Sequence, residues 1–480
     1  MKRALAVLPA LALVACQSTP SFVAPEVPVP AQWVPPGSVV APDTAAASLA
    51  DRPWAQVLPL PELTALIDEA LGSSTELLVA VQRVEIARAQ LGLESAASKP
   101  GLNAAGAVSR QRAPGGNPSS NVVSEGASLS LVMPAWEIDL WGRLAARTEA
   151  ARRELLANVA LADGVRISVA AQVSTLYLDL LDLDHQQAIT QRTLDSRRHS
   201  LRLTRARFDE GVSSMLDVRQ AESLVASSEL SIADQRRRLA QTEHALSVLL
   251  GRNPGPVART VRLDALAPPA QALAGLPSAL LQRRPDIRAA EESLRGAAAN
   301  VDVARKAYLP SLTLTTMLGL ASPGLGQLFD SGRHAWSVQP AIGMPIFDGG
   351  RQRSGVALAE AQQRILVEQY RATIRGAFRE VNDALVSLEQ LGRQREASQR
   401  MVQAGQDRLR ISRARHLAGI ASYFEVLDAE RQLFDSEIGL SQLTRGQQQA
   451  LVQLYLALGG GWTSSSADAP TPSRAVAPAG

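Results

Sequence analysis

The sequence predicts a mixed fold in which long helical hairpins are joined to short β-strands, all of it present twice. Three observations carry this. First, the chain repeats itself about 208 residues apart: Arg205-Ala206-Arg207, Gly211 and Asp217-Val218 recur as Arg413-Ala414-Arg415, Gly419 and Glu425-Val426. The same offset relates Arg143 to Arg351, Leu201 to Leu409, Ala221-Glu222 to Ala429-Glu430 and Gly251 to Gly459. A constant offset over such a span means two structural copies almost free of insertions. Second, the chain holds 28 prolines, yet none falls within residues 135–253 or 346–469, as long uninterrupted helices require. Third, a pair of strand-like stretches precedes each proline-free span, each stretch roughly ten residues long.

Composition supports long packed helices. Of 480 residues, 46% are hydrophobic but only 4% aromatic, so the apolar share is mostly Ala, Leu and Val. The formal net charge is +3, and the only lysines are Lys2, Lys99 and Lys306. The many arginines alternate with Glu, Asp and Gln along the helices, the pattern of solvated faces and not of a nucleic-acid patch.

The N-terminus reads as a targeting segment. Lys2 and Arg3 precede an apolar run over residues 4–14, too short to span a bilayer. It ends in Leu13-Val14-Ala15-Cys16, and Cys16 is the only cysteine in the chain. This resembles a bacterial lipobox. It implies a lipoprotein signal peptide over residues 1–15, covalent lipid on Cys16 and no other cofactor. Gln17 at the next position implies the outer membrane. Several acyl chains at one residue anchor stably where one would be marginal. No other stretch has about 18 consecutive apolar residues, so any membrane crossing is expected to use strands.

Residues 16–60 form an extended lipid-anchored lead-in rich in Pro, Ala, Val and Ser. The first copy covers residues 61–251. A helix is expected over 61–98, with Pro61 suited to its first turn and Pro100 closing it. Strands are expected at 102–111 and 124–133, the second alternating at Ala127, Leu129, Leu131 and Met133. Val169, Val173, Leu176, Leu180 and Leu183 then step by four and three, the seam of a helix packed along a neighbour. From Arg143 to Arg207 a continuous helix would be on the order of 100 Å long. Gly211 breaks it, a second helix returns, and Gly251 stops that one. A Pro-rich linker occupies residues 252–276. The second copy covers 277–462, with strands at 311–320 and 334–344 and breaks at Gly419 and Gly459. Residues 463–480 are a Ser/Ala/Pro tail for which disorder is expected.

Strands in a bilayer must close into a barrel, and known small barrels start at about eight strands. Four strands per chain therefore mean either that the strands are not in a membrane or that several chains pool them. Three chains would supply about twelve strands and twelve long helices.

Three segments resemble the bacterial TolC-like outer-membrane efflux factors. They are Met133-Pro134-Ala135-Trp136-Glu137-Ile138-Asp139-Leu140-Trp141-Gly142-Arg143, Met344-Pro345-Ile346-Phe347-Asp348-Gly349-Gly350-Arg351, and the run from Leu276-Pro277 to Arg284-Pro285-Asp286-Ile287-Arg288. With the lipobox, the chain is most similar to the OprM/NodT lipoprotein branch. The resemblance implies a homotrimer: a twelve-stranded outer-membrane β-barrel continued by a twelve-helix α-barrel in the periplasm. It implies the exit duct of a tripartite efflux pump, exporting small molecules such as drugs. The implied partners are a periplasmic adaptor (membrane fusion protein), an inner-membrane transporter of the resistance-nodulation-division type, and outer-membrane lipid.

Carried onto this sequence, the resemblance makes the hairpin ends the periplasmic entrance. Glu425 and Asp428 stand three apart on one helix face and match the family's acidic entrance positions. In a trimer they would form two stacked rings whose crowded carboxylates raise one another's pKa values. Asp217 holds the place of Glu425 in the first copy, but Gln220 replaces the second acid. Positions that supply a Tyr and an Arg to the closing lock of the TolC branch are here His416 and Ala421, so closure is expected to differ. Gly211, Val212, Ser213, Met215 and Leu216, with Gly419, Ile420, Tyr423 and Phe424, are the expected adaptor-docking tips.

No His-Glu-x-x-His, Gly-x-Ser-x-Gly or phosphate-binding Gly-rich loop occurs, and no enzyme activity is expected. The competing reading is a lipid-anchored periplasmic coiled-coil scaffold without a pore, which leaves four barrel-length strands unexplained. A pump adaptor carries one hairpin, and two copies argue against it.

Overall fold

A computed structural model describes Pro25 and residues 48–114, 121–269 and 277–460. The signal segment, Cys16, most of the lead-in and the C-terminal tail lie outside the described residues. The elements in chain order are α1 (Pro61–Ser73), α2 (Thr75–Ala97), β1 (Asn103–Pro114), β2 (Asn121–Ile138), α3 (Arg143–Asp209), α4 (Met215–Leu249), α5 (Pro285–Lys306), β3 (Ser311–Ser322), β4 (His334–Gly343), α6 (Arg351–Leu417) and α7 (Tyr423–Ala457). Helices α3 and α6 have 67 residues each, and α4 and α7 have 35 each.

Several boundaries differ from the sequence expectation: β1 runs on to Pro114, β2 starts at Asn121, β3 ends at Ser322 and β4 stops at Gly343, and two further differences have a visible cause. The single helix expected over 61–98 is two, because Ser74 adopts extended backbone angles between α1 and α2. At that break the Ser73 hydroxyl bonds the carbonyl of Leu250 at 2.6 Å. β2 also runs past Met133 to Ile138, through a register shift between Met133 and Trp136. Pro134 has no N–H to give to a ladder, and the bulge absorbs it.

The chain forms two compact units, and neither corresponds to one repeat. The first comprises Gln82–Val159 and Ala289–Ala372. Its centre is an antiparallel sheet in the order β1-β2-β3-β4, so β1 and β4 each leave one edge open. Cross-strand partners share a face, and the register separates two chemistries. One face carries Val108 and Ala127, Leu129 and Leu320, Leu131 and Leu318, Trp136 and Leu314, Leu318 and Trp336, and Leu312 and Ile342 as paired neighbours. The other pairs Ala105 with Ser130, Ala107 with Ser128, Ser109 with Gly126, Thr315 with Gln339, and Gly319 with Ala335, with Val132 against Met317 as its apolar exception. At Gly319 the strands approach so closely that a Cβ would sit 2.5 Å from Ser130 Cα.

The turns from sheet to helix use a carboxylate and glycines. Asp139 Oδ2 accepts from the Ala145 N–H at 2.8 Å, and Asp348 Oδ2 from the Gln352 N–H at 2.8 Å. Each satisfies a free donor at a helix start, with negative charge favoured there. Gly142, Gly349 and Gly350 take positive φ angles of 71°, 65° and 90°. Beside the second turn, Ile346 and Phe347 are 97% and 92% exposed. Ion pairs tie the helical part of this unit: Arg147 with Glu94, Arg153 with Glu292, and Arg305 with Glu360. A groove of about 640 Å³ is lined by all four of its helices, with Ala150, Gly296 and Ala359 among small residues and Gln90, Asn300 and Gln362 among polar ones.

The described part of the second unit comprises residues 48–81, 160–269, 277–288 and 373–460. Its core includes Val169, Val173, Leu180 and Leu183 of the expected seam, with Ala170, Tyr177, Leu178 and Leu181 widening it. α3 also contains an 18-residue window apolar enough by composition to cross a membrane, 39% of it buried. Polar ties surround the core. The Tyr177 hydroxyl donates to Glu62 at 2.7 Å, and Arg284 reaches Glu380 at 2.6 Å and the Ala457 carbonyl at 3.1 Å. Burial, then the hydrogen bond to Glu62, pushes the Tyr177 phenol well above its ordinary range.

Candidate functional site at the hairpin ends

Each helical hairpin turns through the same hydrogen bonds. After α3, Gly211 has φ 75°, its N–H donates to the Phe208 carbonyl, and the Val212 N–H donates to Arg207. After α6, Gly419 has φ 74°, with Gly419 donating to His416 and Ile420 to Arg415. Both are Schellman ends, which need the left-handed residue that glycine supplies. α4 ends likewise at Gly251, and α7 at Gly459.

The returning helices start differently. The Ser214 hydroxyl accepts from the Asp217 N–H at 3.2 Å while Asp217 Oδ2 accepts from the Ser214 N–H at 3.0 Å, a closed capping box. Burial pushes the Asp217 carboxyl up, but the Ser214 N–H and the Ser214 and Ser213 hydroxyls outweigh it and hold it below its ordinary value. Ser422 and Glu425 have the matching spacing, yet the Ser422 side chain makes no cap bond. Glu425 instead points toward Arg415 at 4.0 Å, with its side chain 46% exposed. So two residues at equivalent positions do different work: Asp217 closes a cap, and Glu425 remains open to solvent.

Asp428 is enclosed. It accepts from Arg408 at 2.7 Å, Arg431 at 3.0 Å and Gln432 at 2.9 Å. These bonds, Arg431 and then Arg408 foremost, hold its carboxyl below the ordinary value. Within one chain the direction is thus opposite to that expected of crowded acids. The first copy lacks the whole arrangement, since Gln220, Ser200, Ser223 and Leu224 stand at the corresponding positions. By contrast, the ion pair between Arg205 and Glu222 recurs as Arg413 with Glu430, both at 2.6 Å.

The two hairpins meet through groups that sequence reasoning did not single out as partners. Arg207 Nη1 donates to His416 Nε2 at 3.1 Å, and His416 Nδ1 lies 3.1 Å from the Ala421 carbonyl. Both contacts are satisfied by the neutral ring with its proton on Nδ1. Arg413 also reaches the Ser196 hydroxyl at 3.0 Å. Arg197 is buried, donates to Ser228 at 2.8 Å and lies over the Phe434 ring. The legible signals were the place of His416 at a lock position and the offset, which sets Arg408 against Ser200 and His416 against Phe208.

At the tips Val212, Leu216, Ile420 and Phe424 are 61–71% exposed, and Met215 and Leu417 are exposed with them. Gly211 and Gly419 are exposed and Ser213 is half-buried. Tyr423 departs from the group: its ring turns inward against His416, 5.3 Å between centroids.

Ser441, His185 and Asp264 have residue types of a hydrolytic triad, with Ser441 Oγ 3.0 Å from His185 Nδ1. Asp264 is 3.9 Å from His185, and Ser441 is buried with its proton given to Asp182. This is a helix-packing contact without substrate access. Among the described residues no His, Cys, Asp and Glu cluster has the arrangement of a metal site.

A family model described as outer membrane efflux protein matches residues 66–252 and again residues 276–460. Outer membrane protein OprJ of Pseudomonas aeruginosa is 37% identical over 471 residues, 95% of each chain. The probable outer membrane lipoprotein SilC of Salmonella typhimurium is 33% identical over 453 residues, covering 94% of this chain and 96% of that one. The crystal structure of the open state of the Neisseria gonorrhoeae MtrE outer membrane channel superposes with a TM-score of 0.82. The two are 31% identical over 93% of this chain and 98% of that one.

Proposed function

The chain belongs to the outer membrane efflux protein family, and on that premise we propose that three copies form the exit duct of a tripartite efflux pump. The observation that carries this reading is the sheet, with one face apolar along most of its length, one face mostly of small and polar side chains, and two open edges. An apolar face suits lipid and a polar face suits a water-filled lumen. Open edges are not tolerated in hydrocarbon. In this strand order β4 runs antiparallel to β1, so β4 of one copy can pair with β1 of the next and remove every edge. Three copies reach twelve strands. A scaffold without a pore would leave both the apolar face and the edges unused.

In this reading the hairpin ends are the entrance. Three exposed Glu425 carboxylates favour cations there, while Asp428, already neutralised by two arginines, braces the hairpin. The exposed tip residues Val212, Met215, Leu216, Ile420 and Phe424, with Gly211, Ser213 and Gly419 shaping the turns, receive a periplasmic adaptor; Tyr423 supports them from inside. The adaptor links the duct to an inner-membrane transporter of the resistance-nodulation-division type. Lipid on Cys16 adds an anchor, in keeping with the lipoprotein name of a relative. Purified full-length protein should form discrete conducting channels in a planar bilayer and run as a trimer by native mass spectrometry. A non-conducting monomer would overturn the reading.

A further inference from the structure

The charged side chains on the apolar face of the sheet are not scattered. Following the register, that face carries Arg110 paired with Glu125, Arg112 paired with Val123, and His334 paired with Leu320. All lie toward the strand ends that turn back on themselves, away from the ends that enter helices. Between them and the helices the same face is apolar through Leu131, Leu318, Val338 and Ile342. On the opposite face the β1–β2 loop end is uncharged, where Gln111 pairs with Ser124 and Ser109 with Gly126, and at the β3–β4 loop end Arg333, beside Ala321, gives its guanidinium to Gln327. Arg110 keeps 76% of its side chain exposed although its Nε is 3.1 Å from Glu125. Arg112 and His334 are exposed as well. One acid therefore stands against two arginines and a histidine.

An arginine on a lipid-facing surface is costly at mid-depth and tolerated only near the rim. There its fork suits phosphate oxygens. From this we infer that the outer rim of the duct is a binding surface for a phosphorylated glycolipid headgroup of the outer leaflet, held by Arg110 and Arg112 with His334 at the other edge. Glu125 limits its strength by occupying Arg110. The inference rests on the duct reading, because only a closed barrel presents this face to lipid. Closing the sheet sets His334 of one copy on the strand next to Arg110 and Arg112 of another, so each site is completed across a joint between copies.

The test uses full-length trimers reconstituted into phosphatidylcholine vesicles containing equal amounts of diphosphoryl lipid A and phosphatidylglycerol. Lipid retained after extraction is counted by native mass spectrometry, and bilayer conductance is recorded in parallel. Wild type should retain lipid A over both phospholipids. Removing each arginine (Arg110→Gln, Arg112→Gln) should lower that retention about fivefold, and Glu125→Gln should raise it. Opposite signs separate headgroup binding from a role of these arginines in guarding the strand edge. Equal retention of lipid A by wild type and the double variant overturns the inference, as does equal retention of phosphatidylglycerol by wild type. Conducting channels without lipid preference overturn this inference alone. Failure to conduct overturns the duct reading with it.

Discussion

Arg207 and His416 lie in the last turns of the two 67-residue helices and meet at 3.1 Å, guanidinium to imidazole. The imidazole is fixed on its other side by the Ala421 carbonyl, so it spans from one hairpin to the turn of the other. Replacing it with alanine should remove about 1 kcal/mol of local stability. Amide hydrogen exchange should accelerate around the turn at Gly419 and Ile420 while the cores of α3 and α7 stay protected. Unchanged exchange there would show that the contact holds nothing together.

Asp217 and Glu425 occupy equivalent positions but should fail differently. Asp217→Ala opens the capping box and should cost about 1 kcal/mol at the start of α4, with little effect on ion flow. Glu425→Ala should leave stability unchanged, raise single-channel conductance and weaken block by multivalent cations. Thermal denaturation and planar-bilayer recording distinguish the two variants. Identical phenotypes would refute this division.

The Asp428 carboxyl sits below the ordinary aspartate value of 3.8 because Arg431 and Arg408 favour its charged form. A depressed folded-state pKa stabilises above the unfolded value and is lost as pH falls through the folded one. The brace should therefore be fully present at neutral and mildly acid pH and fail only below about pH 3.8. Asp428→Asn should mimic that acid state at pH 7, with faster exchange at the start of α7. Loss of the brace already near pH 5 would contradict the assignment.

Gly319 tolerates no side chain, because a Cβ would strike Ser130 and the Leu129 carbonyl. Gly319→Val should separate β2 from β3 and prevent barrel closure, read as loss of trimer by native mass spectrometry. Gly324, with nothing near its missing Cβ, is the matched control for Gly→Val and should assemble normally.

Charge at the exposed tips should separate export from assembly. Leu216→Asp and Phe424→Asp remove apolar surface that stays largely exposed. Both should insert and conduct normally yet abolish export in cells. Undiminished export would leave the tips without a docking role.

Much of the architecture was legible because it depends on local rules. Proline exclusion marked the long helices, and glycines at positive φ marked their ends. Alternation at Leu129, Leu131 and Met133 marked a strand face. What escaped was set by partners distant in sequence. The break at Ser74 leaves Ser73 bonded to Leu250, across most of the first copy. The bulge after Met133 follows from pairing with β3, which has no sequence trace beyond Pro134. Glu425 and Asp428 were found as a pair, but their difference was not, because Arg408 reaches Asp428 only once the turn folds α7 back on α6. Tyr423 stands beside exposed Phe424 in sequence, yet one position of helical rotation turns its ring toward His416.

Each compact unit draws strands or helices from both repeats, and this governs the order in which the molecule can mature. When the first copy has left the ribosome, β2 still presents an edge that only β3 can cover. That partner is well over a hundred residues away in the chain, a separation that slows pairing and leaves an adhesive edge in the meantime. Neither half is a foldable module, and the two must wait for each other. A chain truncated between β2 and β3 keeps that edge of β2 uncovered.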